Sequence, residues 1–597
     1  MNAIENPFSL TRATPSASGC AIMQFLLSLF LPLSGLNAGT VNDKVASTGI
    51  TFIVTNRYLN IPVAHKLDEA CCVFGDEAPK MTVNLEGEPY RGPFAIRLAA
   101  AKPNYWIFYD LLNFSGKKLT LSYTGNPAGL SQIYQDNVIA GQEKLYKEPN
   151  RPQLHFTSRR GNSGDPNGLI YYEGEYHLFY QHNPWERMWG SWVWGHAVSK
   201  DLIHWEELPP ALYPDELGQP YSGTAVIDYR NTAGFNKGNS PAMILFYTAD
   251  NHRRGLQCMA YSVDRGRTFA KFEGNPILDS GPRWNHSRDT RDPQVFWHKP
   301  SARWVMVLYE VDGYSLYTSH NLKQWQYESH VVGLAECPQL LEFWVDGNKD
   351  DTRWVMSSAR GLYLVGRFDG RKFTPEVGPL YYGDRIFAAQ TFANAPTANG
   401  SRIQMAWGQI EQPDMPFNQQ MLVPTEIGLR TTRRGVRLFN YPIKEFDSLQ
   451  EKECRWNSLT FDQANELMRP FKGADYLRIK VVFKLTQSVN FGLNLFGQSL
   501  VRYDMEHNLI NNEFYEYAPE DHTTMELSAD IIIDKTSVEV FLDRGVYSYN
   551  LQRRPDVQNK DGYHFWGNTV WVESVPARGN YCEIKSLSVS TMKSIWQ

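Results

Sequence analysis

The chain has 597 residues, too many for one ordinary domain, so two or three are expected. Its formal net charge of -5 gives no basic footprint, which argues against nucleic acid as a partner. Aromatic residues reach 13%, with 17 Trp and 32 Tyr; such rings fill β cores and also stack on sugar faces, so composition leans toward a carbohydrate ligand.

The first 38 residues read as a signal peptide. The apolar run "AIMQFLLSLFLPLSGLNA" follows a stretch whose one basic residue is Arg12. It is broken by Gln24, Ser28 and Pro32, and it ends in small residues near Ala38. This predicts a secreted, periplasmic or cell-surface protein. No later segment is apolar enough to cross a bilayer, so no membrane span is expected in the mature chain. Residues 39–150 contain alternating strand patterns ("GITFIVTNRYLNIPVA", "YWIFYDLL", "KKLTLSYTG") and predict a small β-rich accessory domain, closed by the polar, Pro-containing "KEPNRPQ".

From 151 to 445 a loose repeat appears. An aromatic-rich strand leads to a strand with Ser or Tyr, then to a charged turn and a closing aromatic. Thus "YHLFYQHN" leads to "GHAVSKDLIHWEEL", "AMILFYTAD" to "MAYSVDRGRTFAKF" and "RWVMVLYE" to "YSLYTSHNLKQWQY", with weaker units after them. Trp205, Phe269, Trp325 and Phe373 close successive units. Four short strands per unit predict a five-bladed β-propeller over a large β-sandwich. Residues 446–597 change to plain alternation ("YLRIKVVFKL", "ADIIIDKTSVEVFLDRG") and predict a C-terminal β-sandwich. The expected fold is all-β throughout.

The seven cysteines (Cys20, Cys71, Cys72, Cys258, Cys337, Cys454 and Cys582) show no metal-type spacing and are too few for a disulfide scaffold, so chemistry is not expected there. His182, His196 and His204 also lack metal spacing, and His196 and His204 are expected to be structural. No metal and no cofactor are expected.

Carboxylates are better candidates. A propeller brings the inner strands of separate blades around one axis, so acids distant in sequence can converge. Asp165 in "GDPNG", Asp292 in "TRDPQVFW" and Glu336 in "AECPQLLEF" each stand before an apolar strand of a different unit, each with a nearby Pro. Singly, each is ordinary turn chemistry. Together, three carboxylates in one pocket suit glycoside cleavage, with one attacking the anomeric carbon, one protonating the leaving oxygen and one steadying the sugar.

Over roughly residues 151–597 the chain resembles glycoside hydrolase family 32, the invertase, inulinase and levanase group. "DPNG", "YQHNP", "WGHAVSKDLIHWEELPPALYPD", "YSGT", "RDPQVF" and "ECP" occur in the family's order, and "DKTSVEVFLDRG" is similar to its C-terminal sandwich. The resemblance implies a retaining hydrolase of β-fructofuranosidic bonds in sucrose or fructans such as inulin and levan. Asp165 would be the nucleophile, Glu336 the acid and then the base, and Asp292 the group holding the fructose hydroxyls. In that scheme Glu336 should have a raised pKa while Asp165 stays ionised. It also implies sugar contacts for Asn167, Gln181, Trp189, Tyr221, Ser222 and Arg291; Asn167 also serves as a turn residue, and Trp189 and Tyr221 also fit as core aromatics.

One departure stands out. The family usually carries Trp, an apolar residue and Asn before the nucleophile, where this chain has Asn162, Ser163 and Gly164. The resemblance links that missing Asn to the balance between hydrolysis and fructosyl transfer. Two alternatives therefore stay open beside the hydrolase: a fructosyltransferase using a sugar acceptor, and a catalytically impaired fructan-binding protein.

Overall fold

Strand side chains point alternately to opposite faces, and in the middle of this chain both faces are covered. The nine residues of Ala242–Asp250 (AMILFYTAD) are all buried, which is why an apolar run rather than an alternating one marks this strand. The computed structural model that reveals this describes residues 48–596 except 65–77, 239, 286, 433, 486–488, 505–508, 511–525, 554–561 and 570–581. The expected signal segment and the Cys71–Cys72 pair lie outside the described residues.

The fold is all-β; Phe461–Met468 is the only α-helix among the described residues, opened by a Thr460–Gln463 capping box. From 161 to 442 the chain runs as antiparallel meanders. The first is Gly161–Tyr172, Glu175–Asn183, Val193–Ser199 and Trp205–Leu212. The second is Gln219–Asp228, Ala242–Asp250, Gly255–Ser262 and Ala270–Lys271. The third is Thr290–His298, Arg303–Glu310, Gly313–Ser319 and Gln326–Val332. Two further meanders, from Gln339–Val345 to Phe373–Tyr381 and from Phe387–Thr391 to Gly435–Pro442, are joined into one eight-stranded sheet by a parallel bridge between Val345 and Leu429. A two-residue strand, Phe417–Asn418, pairs in parallel with Gly161 and Asn162 of the first meander.

Neighbouring meanders share apolar cores. From Ala242–Asp250, Met243, Leu245 and Tyr247 join Phe179 and Trp194 of the first meander, whereas Ile244 and Phe246 join Met306 and Leu308 of the third. From Arg303–Glu310, Val305 and Val307 face the other way, onto Leu340 and Met356 of the fourth. Phe343 and Tyr363 of the fourth pack with Ala406 and Leu429 of the fifth, and Met405 and Ile403 of the fifth pack with Leu178 and Tyr180 of the first. The repeated charged turn has one physical cause in the first and third meanders. The Ser199 and Ser319 hydroxyls accept from the Leu202 and Leu322 amides at 2.8 and 2.9 Å, and the Trp205 and Trp325 indoles each donate back to that leucine's carbonyl at 3.1 Å.

Residues 450–592 form six strands of a seven-stranded sheet, whose edge strand is Gly383–Asp384, and a four-stranded sheet, around a core that includes Ile479, Phe483, Leu493 and Phe565. Residues 48–136 form a four-stranded and a three-stranded sheet around Ile61, Val83, Ile107 and Leu121. His155 ties the start of the meanders to the C-terminal sheets: its two ring nitrogens lie 2.7 Å from Asp534 and from Glu539, all three buried. Burial would lower the His155 pKa, but the two carboxylates raise it to about 9.

Candidate active site

The inner strands of the first three meanders lose register between Ser163 and Pro166, between Pro220 and Gly223, and between Arg291 and Gln294, and the first strand shifts again between Asn167 and Ile170. In each strand a bulge spans a candidate residue: Asp165, then Tyr221 and Ser222, then Asp292. A bulge re-aims side chains that a regular strand would turn into the sheet. Proline, which cannot donate to a ladder, sits at or beside each irregularity. The amide that the third bulge frees, that of Asp292, donates to Thr248 Oγ1 at 3.0 Å on the second meander. Asp292, Glu336 and Cys337 all have left-handed backbone (φ 63, 56 and 45), a conformation that non-glycine residues hold only when the surroundings impose it.

These devices bring the three carboxylates into one cluster. Ser222 Oγ donates to Asp165 Oδ2 at 2.6 Å. The Cys337 amide donates to Asp292 Oδ2 at 3.0 Å, and its thiol lies 3.8 Å from Asp165 Oδ2 and 3.6 Å from Asp292 Oδ2. Arg291 donates to Glu336 Oε1 at 2.8 Å, approaches Asp292 Oδ2 at 3.8 Å and also pairs with Asp289. The Tyr314 hydroxyl donates to the Glu336 carbonyl at 2.8 Å and fixes that turn.

Electrostatics correct one expectation. Asp165, expected to stay ionised, is pushed up to about 7: burial dominates, the nearby Asp292 and Glu336 add to it, and the Ser222 hydrogen bond opposes it. Its Oδ1 is enclosed with no hydrogen-bond partner among the described residues. Asp292 rises to about 6, again chiefly through burial, with Arg291 restraining it. Arg291 itself is held charged, because Asp292, Asp289 and Glu336 outweigh its burial. The physical reason is placement: the guanidinium lies against Glu336 and Asp292, not against Asp165.

The remaining predicted residues surround the cluster. Asn167 is fully buried, its amide donating to the Pro166 carbonyl and to Ser222 Oγ at 3.1 and 3.2 Å while accepting from the Gln181 amide at 3.2 Å. Gln181 donates to the Pro220 carbonyl at 3.1 Å, and its Oε1 is enclosed without a hydrogen-bond partner among the described residues. Trp189 is half-buried, stacked on Trp407 at 5.5 Å and edge-on to Trp192 at 4.6 Å. Tyr221 departs from the cluster: its ring is on the bulge, but its hydroxyl lies among Arg288 and Asp250, which pair at 2.8 Å. A Cβ at Gly164 would sit 3.2 Å from Gln181 Cβ and 3.9 Å from the Trp189 ring, so the position beside the nucleophile is closely bounded by these two side chains.

Two participants were not expected. Cys337 was set aside with the other cysteines, although the "ECP" motif already placed it beside Glu336. Trp407 ends a strand of the fifth repeat, where nothing local separates it from core aromatics. His182 Nδ1 donates to the Asn162 carbonyl at 2.8 Å, His196 contacts His177 at 3.1 Å in the core, and His204 pairs with Asp201 at 2.7 Å on the surface.

Residues 155–442 match the glycosyl hydrolases family 32 N-terminal domain. A levanase of Bacillus subtilis is 35% identical over 507 residues, covering 76% of this chain and 72% of its own. An extracellular exo-inulinase of Aspergillus awamori is 32% identical over 376 residues, covering 54% and 70%. The crystal structure of exo-inulinase from the same organism superposes with a TM-score of 0.62 at 26% identity, covering 76% of this chain and all of the other. By that identity and coverage, the chain belongs to glycosyl hydrolase family 32.

Proposed function

We propose that this glycoside hydrolase cleaves β-fructofuranosidic bonds in sucrose or in fructans of the inulin and levan type, through a covalent fructosyl-enzyme. Asp165 is the nucleophile, Glu336 protonates the leaving oxygen and then activates water, and Asp292 steadies the fructosyl unit as positive charge develops on it. The observation that carries this reading is the convergence of three carboxylates from separate meanders, with Ser222 on the first, Arg291 on the other two and Cys337 between Asp165 and Asp292. Asn167, Gln181, Trp189, Ser222 and Arg291 form the pocket, with Trp407 as an added wall and Tyr221 at its rim, its hydroxyl turned toward Arg288 and Asp250. Arg291 keeps a fixed positive charge beside Glu336, which must hold and pass a proton, and beside Asp292. The levanase and exo-inulinase relatives support the substrate class.

The five meanders are read as blades of a five-bladed propeller at 151–445, preceded by an accessory domain at 39–150 and followed by a sandwich at 446–597. The run of shared cores from first to second, onward to fifth, and back to first supports closure into a ring. Secretion is proposed from residues 1–38. Among the described residues no helix is long and apolar enough to cross a membrane.

The test is incubation of the purified protein with sucrose, inulin and levan, separating products by chromatography, with Asp165→Ala in parallel. Fructose or short fructans from the wild type alone support the proposal; no product from any of the three overturns it. Fructosyl transfer is a second reading, favoured by the lack of a side chain at Gly164 beside the nucleophile, and new longer oligosaccharides would identify it.

A further inference from the structure

The segment Pro184–Trp192 leaves the first meander carrying Trp189 to the pocket, and its other side is seized by the N-terminal sheets. Its base is pinned from within: Asn183 accepts from the amides of Trp185 and Glu186 at 3.1 and 3.3 Å and donates to the Met188 carbonyl at 2.9 Å. Beyond that, the contacts come from residues 94–109. Trp185 is buried in the N-terminal core, stacked on Phe94 at 3.7 Å and 9° and against Tyr109 at 5.5 Å. The Arg97 amide donates to Glu186 Oε1 at 2.8 Å, the Ala95 amide to Ser191 Oγ at 3.1 Å, and the Arg187 amide to the Tyr105 hydroxyl at 3.2 Å. Ser191 is held at φ 50, left-handed backbone that L-residues avoid without outside support. Between these holds lies Trp189, against Trp192 and Trp407, its ring 3.9 Å from where a Cβ at Gly164 would stand.

We propose that the N-terminal β-sheets are a positioning element of the active site: by gripping Trp185, Glu186 and Ser191 they fix Trp189 as the wall of the sugar pocket. Glu186 and Ser191 are positioning residues, since they act through Trp189 and touch no reacting atom. An N-terminal module that bound polysaccharide independently would not need its core entered by a tryptophan from the first meander. Here Trp185 completes that core, so neither part has its final shape without the other. The inference rests on Trp189 lining the pocket, as proposed above.

The test is a double-mutant cycle in the full chain, using whichever saccharide the wild type cleaves. Ser191→Ala removes the acceptor for the Ala95 amide, a loss worth roughly a threefold to tenfold rise in KM, with kcat within about twofold of wild type. Glu186→Ala carries the same comparison at the second contact, and Glu186→Gln, which keeps an acceptor, is expected to restore most of the wild-type KM. In a Trp189→Ala background Ser191→Ala should add nothing, because the wall it positions is gone. An unchanged KM in both Ser191→Ala and Glu186→Ala overturns the proposal. So does a KM rise that persists undiminished in the Trp189→Ala background, which would mark a merely structural role. A Trp189→Ala protein with unaltered KM overturns the pocket reading itself, and the proposal with it.

Discussion

Ser222 on the second meander donates a 2.6 Å hydrogen bond to Asp165 on the first, and it is the contact that most opposes the burial raising that carboxyl. Ser222→Ala therefore removes a donor to the charged form. The acid limb of kcat/KM, which reports groups of the free enzyme, should move to higher pH, and kcat/KM at pH 6 should fall about tenfold. Asp292→Asn acts oppositely on the limb: it removes a neighbouring negative charge, so the limb should move to lower pH even as the maximum rate falls. A pH–rate profile of the two variants beside wild type checks both directions.

Asp165 also sets a balance between activity and stability. Its folded pKa of about 7 lies above the 3.8 of an unperturbed aspartate, so the folded state holds a proton that the unfolded state has lost across that interval. Its stabilising contribution is complete below about pH 4 and is lost as pH rises through 7. Asp165→Asn escapes this loss. The variant should be inactive yet more stable than wild type at pH 8, on the order of 2–4 kcal/mol, with the difference vanishing near pH 4. Denaturant titrations at the two pH values measure it.

Arg291 reaches Glu336, Asp292 and Asp289 with one planar group. Lysine keeps the charge but is a point donor and cannot span three carboxylates at once. Arg291→Lys should lower kcat/KM about a hundredfold, the scale seen when one preorganised donor is removed from a charge-developing site. A loss under threefold, measured by steady-state kinetics, would mean that the fork geometry does not matter.

His155 lies between two buried carboxylates, and its pKa is raised to about 9 from 6.5. The stability it contributes is complete below about pH 6.5 and is lost as pH rises through 9. Thermal unfolding should show Tm falling over that interval. His155→Ala strands Asp534 and Glu539 in the interior and should cost about 3–5 kcal/mol, with the pH dependence largely abolished.

Gly164→Asn places a side chain between Gln181 and Trp189. Its φ is not in the left-handed region, so the backbone accepts the change, and only the 3.2 Å approach to Gln181 must relax. The ratio of free fructose to longer oligosaccharides should shift relative to wild type at high sugar concentration. An unchanged ratio would remove Gly164 from the account of hydrolysis against transfer.

Much of this was legible in the chain. The Pro residues after Asp165 and Asp292 announced places where a strand must break its ladder, and those places are the bulges that aim the carboxylates. The repeated Ser–Leu–Trp turn was readable because its hydrogen bonds are local. What was not readable depends on contacts far apart in sequence. The raised pKa of Asp165 follows from burial beside Asp292, which only the folded arrangement creates. Cys337 had to be seen beside two aspartates, and Trp407 beside Trp189, before either meant anything. The grip on Trp185 joins residues 94–109 to 184–192, and no local pattern marks it.

The pairing of Phe417 and Asn418 with Gly161 and Asn162 has a consequence for how the enzyme is made. The strand that bears Asp165 leaves the ribosome early, yet the free edge of its first two residues is covered only by residues synthesised some 250 positions later. Until then that edge offers unpaired backbone to any passing strand. A nascent chain halted before residue 417 should thus be prone to misassociation as well as inactive, and the seam that completes the strand lies three positions from Asp165. Loss of the seam and loss of catalysis on heating should accordingly be one event.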